Sequence, residues 1–358
     1  MHIISTGVID TGSTYHGWPT VAITPEGRLL AAASGNRERH ICPMGRSRLY
    51  ISDDNGNTWS SAQHLSDGPL DDRDTGLCVC ADGSIVLTYL TSAYALMSPK
   101  PDDPPHWDEV RKSISIDTVN REHNFWMRRS TDGGNSWGDR YSVPVSNPHG
   151  PSLNDDGTLF IAGVKKSPSP AYQTGGYLTS GEPVAAVSRD NGRNWEIISA
   201  IPVPAGQSGN KFHELHSVQA SDGRIVVQIR NHNVPPVSTW QTESFDGGVS
   251  WSEPRYICRG FPSHLLRLSD GKLLMSYSWR YDNYGIRLRV SSDNGDSWGE
   301  EIILYDGGSC HDLGYPSTVQ LADGTLFTLW YENVTWEEKD FSIHKSSRAT
   351  LKYCRWSL

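Results

Sequence analysis

The chain has 358 residues, a formal net charge of −9 and a pI near 5.8, with 13 tryptophans, 15 tyrosines and 34 glycines. This balance argues against binding nucleic acid or another polyanion, which needs a basic face, and no apolar run approaches the length of a membrane span. Six scattered cysteines (Cys42, Cys78, Cys80, Cys258, Cys310 and Cys354) without a CxxC pair read as reduced thiols. The opening MHIISTGVID lacks a basic stretch followed by an apolar one, so no leader is expected there. The expected location is the cytoplasm, or a secreted or periplasmic one for a chain whose leader was trimmed.

Along the chain, one order of elements returns. A strand such as TVAIT is followed by an acidic residue, a glycine and a second apolar strand. The six such turns open EGRLLAAAS at Glu26, DGSIVLTYL at Asp82, DGTLFIAGV at Asp156, DGRIVVQIR at Asp222, DGKLLMSYS at Asp270 and DGTLFTLWY at Asp323. Each reads as a β-hairpin. A third strand then runs into an octapeptide, S-x-D-x-G-x-[TSN]-W, found at Ser52, Ser130, Ser188, Ser244 and Ser291. Its Asp can cap a turn, its Gly supplies a positive φ and its Trp packs the turn onto the strands. A fourth strand follows. The repeat predicts an all-β, six-bladed β-propeller with four antiparallel strands per blade, forming one domain over residues 1–358. The last repeat lacks the octapeptide. RATLKYCRW reads as its third strand, and the N-terminal HIISTGVID supplies the fourth, closing the ring and hiding a sheet edge.

Two connections are long. Tyr94 to Asn124 has room for a short helix, and Lys165 to Pro183 is rich in Pro, Ser, Gly and Tyr. Both follow the second strand of a blade, on the face where the innermost strands begin, so both are candidates for a pocket rim. The starts of the innermost strands point at a shared central funnel. Ionisable residues gather there: Asp72, Arg73 and Asp74; His149; Glu214 and His216; His264; and Asp312 near Tyr315. The loops after the second strands add Arg37, Glu38 and His40, then Arg230 and Asn231, then Arg280. Cations and carboxylates forced together in a concave site shift each other's pKa values, as acid–base chemistry requires. Several arginines suit an anionic substrate, because a guanidinium grips a carboxylate bidentately. The histidines lack zinc-type spacing and no calcium loop is present, so neither metal nor cofactor is expected.

The octapeptides resemble the Asp-boxes of the sialidase superfamily. HELHSVQASDGRIVVQIRN is similar to the exo-sialidase motif in which a Glu, an apolar strand, a D-G turn and a strand ending in Arg follow one another. GYPSTVQLADG places Tyr315 at the spacing of that family's nucleophile. The resemblance implies that Glu214 polarises a nucleophilic Tyr315, a known exception to two-carboxylate glycosidases. It also implies that Arg230 and Arg280 bind a substrate carboxylate, with Arg287 second to Arg280 and Arg37 or Arg73 replacing an arginine missing from HGWPT. The family's acid/base Asp is absent from SGNRERHICPMGR, leaving His40 as the favoured proton donor and Asp74 as its rival; Glu38 is the weaker alternative in that loop. His149, His216, Asn231, His264 and Asp312 complete the expected substrate-binding set.

The expected function is an exo-acting glycoside hydrolase that removes a terminal acidic sugar, sialic acid or a relative, from a glycan. Two alternatives stand beside it. One is a uronate-glycan lyase or rhamnosidase-type propeller enzyme, and the other a non-catalytic glycan-binding propeller.

Overall fold

In the computed structural model, which describes residues 1–10, 14–334 and 347–358, the chain folds as an all-β propeller. Four blades stand as separate sheets. Three have four strands: Asp71–Val79 to Tyr141–Ser142, Phe212–Gln219 to Arg255–Cys258, and Ser263–Arg267 to Ile302–Tyr305. The fourth has five, because Val145–Ser146 and Ser152–Leu153 both pair with Leu159–Lys166.

The expectation of six separate blades is corrected by the hydrogen bonding. The first and last strand groups share one eight-stranded sheet. One run is Leu313–Gln320, Leu326–Asn333, Ala349–Ser357 and the N-terminal His2–Val8. The other is Tyr15–Ile23, Leu29–Arg37, Arg46–Ser52 and Gln63–His64. The runs meet through a single parallel bridge between Tyr15 and Ala349, close to where the N-terminal strand hands over to the first innermost one. His2–Val8 pairs antiparallel with Ala349–Ser357, so the chain's first strand covers its last.

The octapeptide turns share one local architecture. In each, the Ser Oγ accepts from the Gly N–H four residues on and donates to the Asp carboxylate. That carboxylate also accepts the backbone N–H four residues after it. Small polar residues thus saturate a tight turn that no strand partner could satisfy. Apolar clusters fill the spaces between successive sheets. Leu30, Leu77 and Leu87 are packed in one of these, and Phe160, Leu215 and Ile229 in another.

The two long connections form the wall on one side of the axis. The first carries three helices, Tyr94–Met97, His106–Ser113 and Ile116–Glu122. Asp108 and Glu109 sit in the first turn of His106–Ser113 and Arg111 and Lys112 in its last, matching the helix dipole. Ser115 caps the third helix by accepting from the Thr118 N–H. The second connection folds against the first at Gly176, whose φ is +86° and whose added Cβ would lie 2.5 Å from the Tyr94 Cα. Only glycine permits that approach.

Candidate active site

The innermost strands do not start as regular strands. Trp18, Asp74, Glu214 and Tyr315 have φ of 54°, 52°, 53° and 52°, and Gly150 has φ of 82°. At each of the four non-glycine positions the ladder register shifts, between Gly17 and Thr20, Arg73 and Gly76, His213 and His216, and Gly314 and Ser317. A left-handed conformation in an L-residue is strained by roughly 1–2 kcal/mol. Its recurrence at the strand starts marks a built feature. Each bulge breaks the two-residue alternation and swings one side chain towards the axis.

Two of these side chains meet. Tyr315 Oη donates to Glu214 Oε1 at 2.7 Å. Arg230 Nη1 donates to Glu214 Oε2 at 2.6 Å and lies 3.4 Å from Tyr315 Oη. Burial alone would raise the Glu214 pKa, but the charges of Arg230 and His213 and the bonds from Arg230 and Tyr315 hold it well below the usual carboxylate range. Burial, then the Glu214 charge, raises the Tyr315 phenol well above its ordinary value. The resting pair is therefore a neutral phenol donating to an anionic carboxylate.

Arg280 stands over the Tyr315 ring with its guanidinium carbon 5.5 Å from the centroid. Its Nε donates to the Leu313 carbonyl, while its Nη2 is buried with no partner among the described residues. Arg230 Nε and His232 Nε2 are likewise buried and unpartnered. Phe261 lies beneath both arginines, at 4.6 Å from Arg230 and 5.6 Å from Arg280. Unsatisfied guanidinium N–H groups beside a phenol form a ready receiver for an anion.

Asp74 and Glu214 line a cavity of about 580 Å³ whose far wall is built by Tyr94, Trp107 and Tyr177 of the long connections. Burial pushes the Asp74 carboxyl up to about 6. His40 is next in sequence to Ile41 and accepts at its carbonyl from Arg73 at 3.4 Å, both residues of the cavity lining, and its ring stands edge-on to Trp18 with centroids 5.0 Å apart. Its Nδ1 is 3.0 Å from Asp312 Oδ1 and 2.8 Å from Tyr15 Oη. Trp18 itself is flanked by Arg73, at 4.1 Å, and Arg37, at 4.8 Å.

The remaining sequence candidates have other partners. Arg37 is buried and ion-paired with Asp71 through both of its terminal nitrogens. Asn231 donates to Gln207 and accepts from the Asn233 N–H, bonds internal to the loops. Arg287 donates to the Tyr305 and Asn283 carbonyls. Glu38 accepts from Trp107 Nε1 at 3.0 Å and pairs with His106, which anchors the helical connection. His149, His216 and His264 cluster with each other, with ring centroids 4.3 to 5.3 Å apart, and burial lowers the pKa of all three. Of the three, His149 is the one in contact with the Tyr315 ring, at 6.3 Å.

Sequence reasoning set Tyr15, Trp18 and Tyr331 at the funnel without giving them a role, and passed over Phe261. A signal did exist for the strand starts. Trp18, Gly150 and Tyr315 are each followed by proline, a dipeptide that punctuates a strand at its first residue.

Known proteins share the family and the fold. Residues 112–328 match the family model described as a BNR repeat-like domain. A sialidase of Micromonospora viridifaciens is 24% identical over 355 residues, covering 88% of this chain and 49% of that protein, so the chain spans about half the length of the curated relative it matches. Among solved structures, a Dyadobacter fermentans protein of unknown function superposes with a TM-score of 0.78 at 21% identity, covering 99% of this chain and 98% of the other. The NanB sialidase of Streptococcus pneumoniae, as its K499G mutant, gives a TM-score of 0.68 at 16% identity, covering 99% and 70%. The intramolecular trans-sialidase of Ruminococcus gnavus gives 0.65 at 16% identity, covering 100% and 98%. The chain belongs to the BNR repeat-like family of the sialidase superfamily.

Proposed function

We propose that this protein is an exo-acting glycoside hydrolase that removes a terminal acidic sugar, sialic acid or a relative, from a glycan. The observation that carries the reading is the 2.7 Å hydrogen bond from Tyr315 to Glu214 beside the unpartnered Nη2 of Arg280. The related proteins named as sialidases support it. The reading takes residues 1–358 as one catalytic unit. It also takes the eight-stranded sheet as two blades bridged at Tyr15, which makes six around the axis.

Tyr315 Oη attacks the anomeric carbon while its proton passes to Glu214. The glycosidic C–O bond breaks, and the leaving oxygen takes the Nε2 proton of His40 in its imidazolium form. Water then attacks the same carbon and returns a proton to His40 Nε2, the bond from that carbon to Tyr315 Oη breaks, and the proton on Glu214 goes back to the phenolate oxygen. A phenol is the fitting nucleophile where the anomeric carbon bears a carboxylate, because it brings a neutral oxygen to an anionic centre. The substrate carboxylate binds Arg280 and competes with Glu214 for Arg230. That competition frees Glu214 to accept the phenolic proton.

Asp74 is the second candidate for the proton donor, favoured by its position on the cavity wall and its carboxyl raised to about 6. Trp18 supports a second substrate reading. With Arg37 and Arg73 both drawn over its indole, fewer arginines face the Tyr315–Glu214 pair, which suits a uronate as well as a sialate. A screen of glycans carrying terminal acidic sugars, with products identified by mass, tests the proposal. Release of the free acidic sugar is expected. An unsaturated, ultraviolet-absorbing product would reassign the enzyme as a lyase, and no product from any acidic glycan would sink the hydrolase reading.

A further inference from the structure

Asp312 was expected to touch substrate, and its surroundings leave it no means to do so. It is 3% exposed and immediately precedes the strand Leu313–Gln320. Oδ1 accepts from Tyr15 Oη at 2.9 Å, Tyr331 Oη at 2.9 Å and His40 Nδ1 at 3.0 Å. Oδ2 accepts from Asn333 Nδ2 at 3.0 Å and again from Tyr15 at 3.0 Å. A carboxylate has about four lone-pair sites, and these donors fill them.

The donors also determine where the protons sit. Tyr15 has one hydroxyl hydrogen and directs it to Asp312. Burial and the Asp312 charge raise the Tyr15 phenol well above its ordinary pKa, so the hydrogen stays on. The 2.8 Å contact between Tyr15 Oη and His40 Nδ1 therefore needs its hydrogen from the imidazole. Nδ1–H is shared between Asp312 and Tyr15, and Nε2 is the ring nitrogen left over. Among the described residues nothing hydrogen-bonds Nε2, and His40 keeps 20% of its side-chain surface exposed. The backbone is clamped as well, since Arg37 Nη2 donates to the His40 carbonyl at 2.9 Å.

We propose that Asp312 is a positioning residue that acts through His40. With Tyr15 it fixes the imidazole as the Nδ1–H tautomer, so that Nε2 is the nitrogen that exchanges protons at the active site. This rests on the hydrolase reading for its catalytic meaning, but the tautomer itself does not. Burial and three charged groups set the charge of His40. Burial opposes the imidazolium most, Asp312 favours it, the guanidiniums of Arg73 and Arg37 oppose it, and the balance lies below the ordinary histidine value. Tyr15 and Tyr331 remain neutral at working pH.

Two measurements test it on the full chain. Nitrogen-15 correlation NMR of the ligand-free protein at pH 8 should show His40 with a proton on Nδ1 and a lone pair on Nε2. A population dominated by Nε2–H overturns the proposal whatever the enzyme's activity. The second is kinetic, with 4-methylumbelliferyl sialoside and sialyllactose as probes. Asp312→Asn should lower kcat on sialyllactose by up to roughly 100- to 10,000-fold, the scale of lost general acid catalysis, with little change on the aryl substrate or in KM. Its alkaline limb should move to lower pH, because the carboxylate that favours the imidazolium is gone. A KM raised equally on both probes with an unmoved limb would make Asp312 a substrate ligand and defeat the proposal. If Asp312→Asn does not fold, Tyr15→Phe should still weaken the Nδ1–H preference. A wild type inactive on both probes sinks the sialidase reading, and the NMR result still decides this one.

Discussion

Glu214 offers a test of whether the left-handed strand starts carry real strain. Replace it with Ala or with Gly, and compare only those two variants. Both lose the bond from Tyr315 and the pair with Arg230, so these contributions cancel in the difference. The remainder is backbone. At φ = 53° the Cβ of Ala costs roughly 1–2 kcal/mol that Gly avoids. Gly loses about 0.5–1 kcal/mol more than Ala through the freedom of its unfolded chain. The strain wins, leaving Glu214→Gly more stable than Glu214→Ala by about 0.5–1 kcal/mol. Unfolding entropy of about 2.1 cal/mol/K per residue over 358 residues gives roughly 0.75 kcal/mol per kelvin. The expected gap in Tm is therefore only about 1 °C, and about 2 °C when Asp74, at φ = 52°, is changed in the same way. Differential scanning calorimetry resolves this. Ala200, exposed at the end of the strand Glu196–Ala200, is the control, and Ala200→Gly should lower Tm. If Gly is no better than Ala at both 214 and 74, the strain argument is refuted and the bulges are unstressed.

Other outcomes follow from the same geometry. Tyr315→Phe and Glu214→Gln should each remove most of kcat, and the double variant should lose little more, because residues acting as a unit are grossly non-additive. Additive losses would separate the pair. Arg280→Lys should raise KM for an acidic glycoside at least tenfold, since an ammonium cannot reproduce the bidentate fork, while an esterified substrate should show no such change. His40→Ala should spare an aryl glycoside with an acidic phenol and lose a sugar–sugar linkage, and a selective loss in Asp74→Asn instead would move the proton donor there. The pH profile separates the same two. A carboxylic acid works only while protonated, so a donor at Asp74 gives a rate that falls as pH rises through about 6, and Asp74→Asn removes that limb.

What could be read in the sequence was what repeats locally. The octapeptides and D-G turns depend on contacts within a few residues, and five similar copies make such a turn legible. The spacing from Glu214 to Arg230 is also local, set by one hairpin. The fate of a side chain at a strand start is different. Alternation would predict which way residues 18, 74, 214 and 315 point, and a left-handed residue at each position breaks that alternation. Asp312 looked like a funnel carboxylate because its partners Tyr15 and His40 lie about 270 to 300 residues away in the chain. The fusion of the first and last sheets rests on one bridge, Tyr15 to Ala349, which no periodicity announces.

Three consecutive residues carry a consequence for how such proteins can be remodelled. Glu38 holds Trp107 and His106, Arg39 is buried against Trp107 and ion-paired with Asp103, and His40 holds Asp312. The helical connection and the loop that aims His40 are thus welded at adjacent peptide units. A chimera that imports a foreign connection between Tyr94 and Asn124 would strand a buried guanidinium at Arg39 and leave the Glu38 carboxylate without its indole. Grafting the rim therefore requires moving residues 38 and 39 with it, and a rim transplanted alone would arrive with a misaimed imidazole.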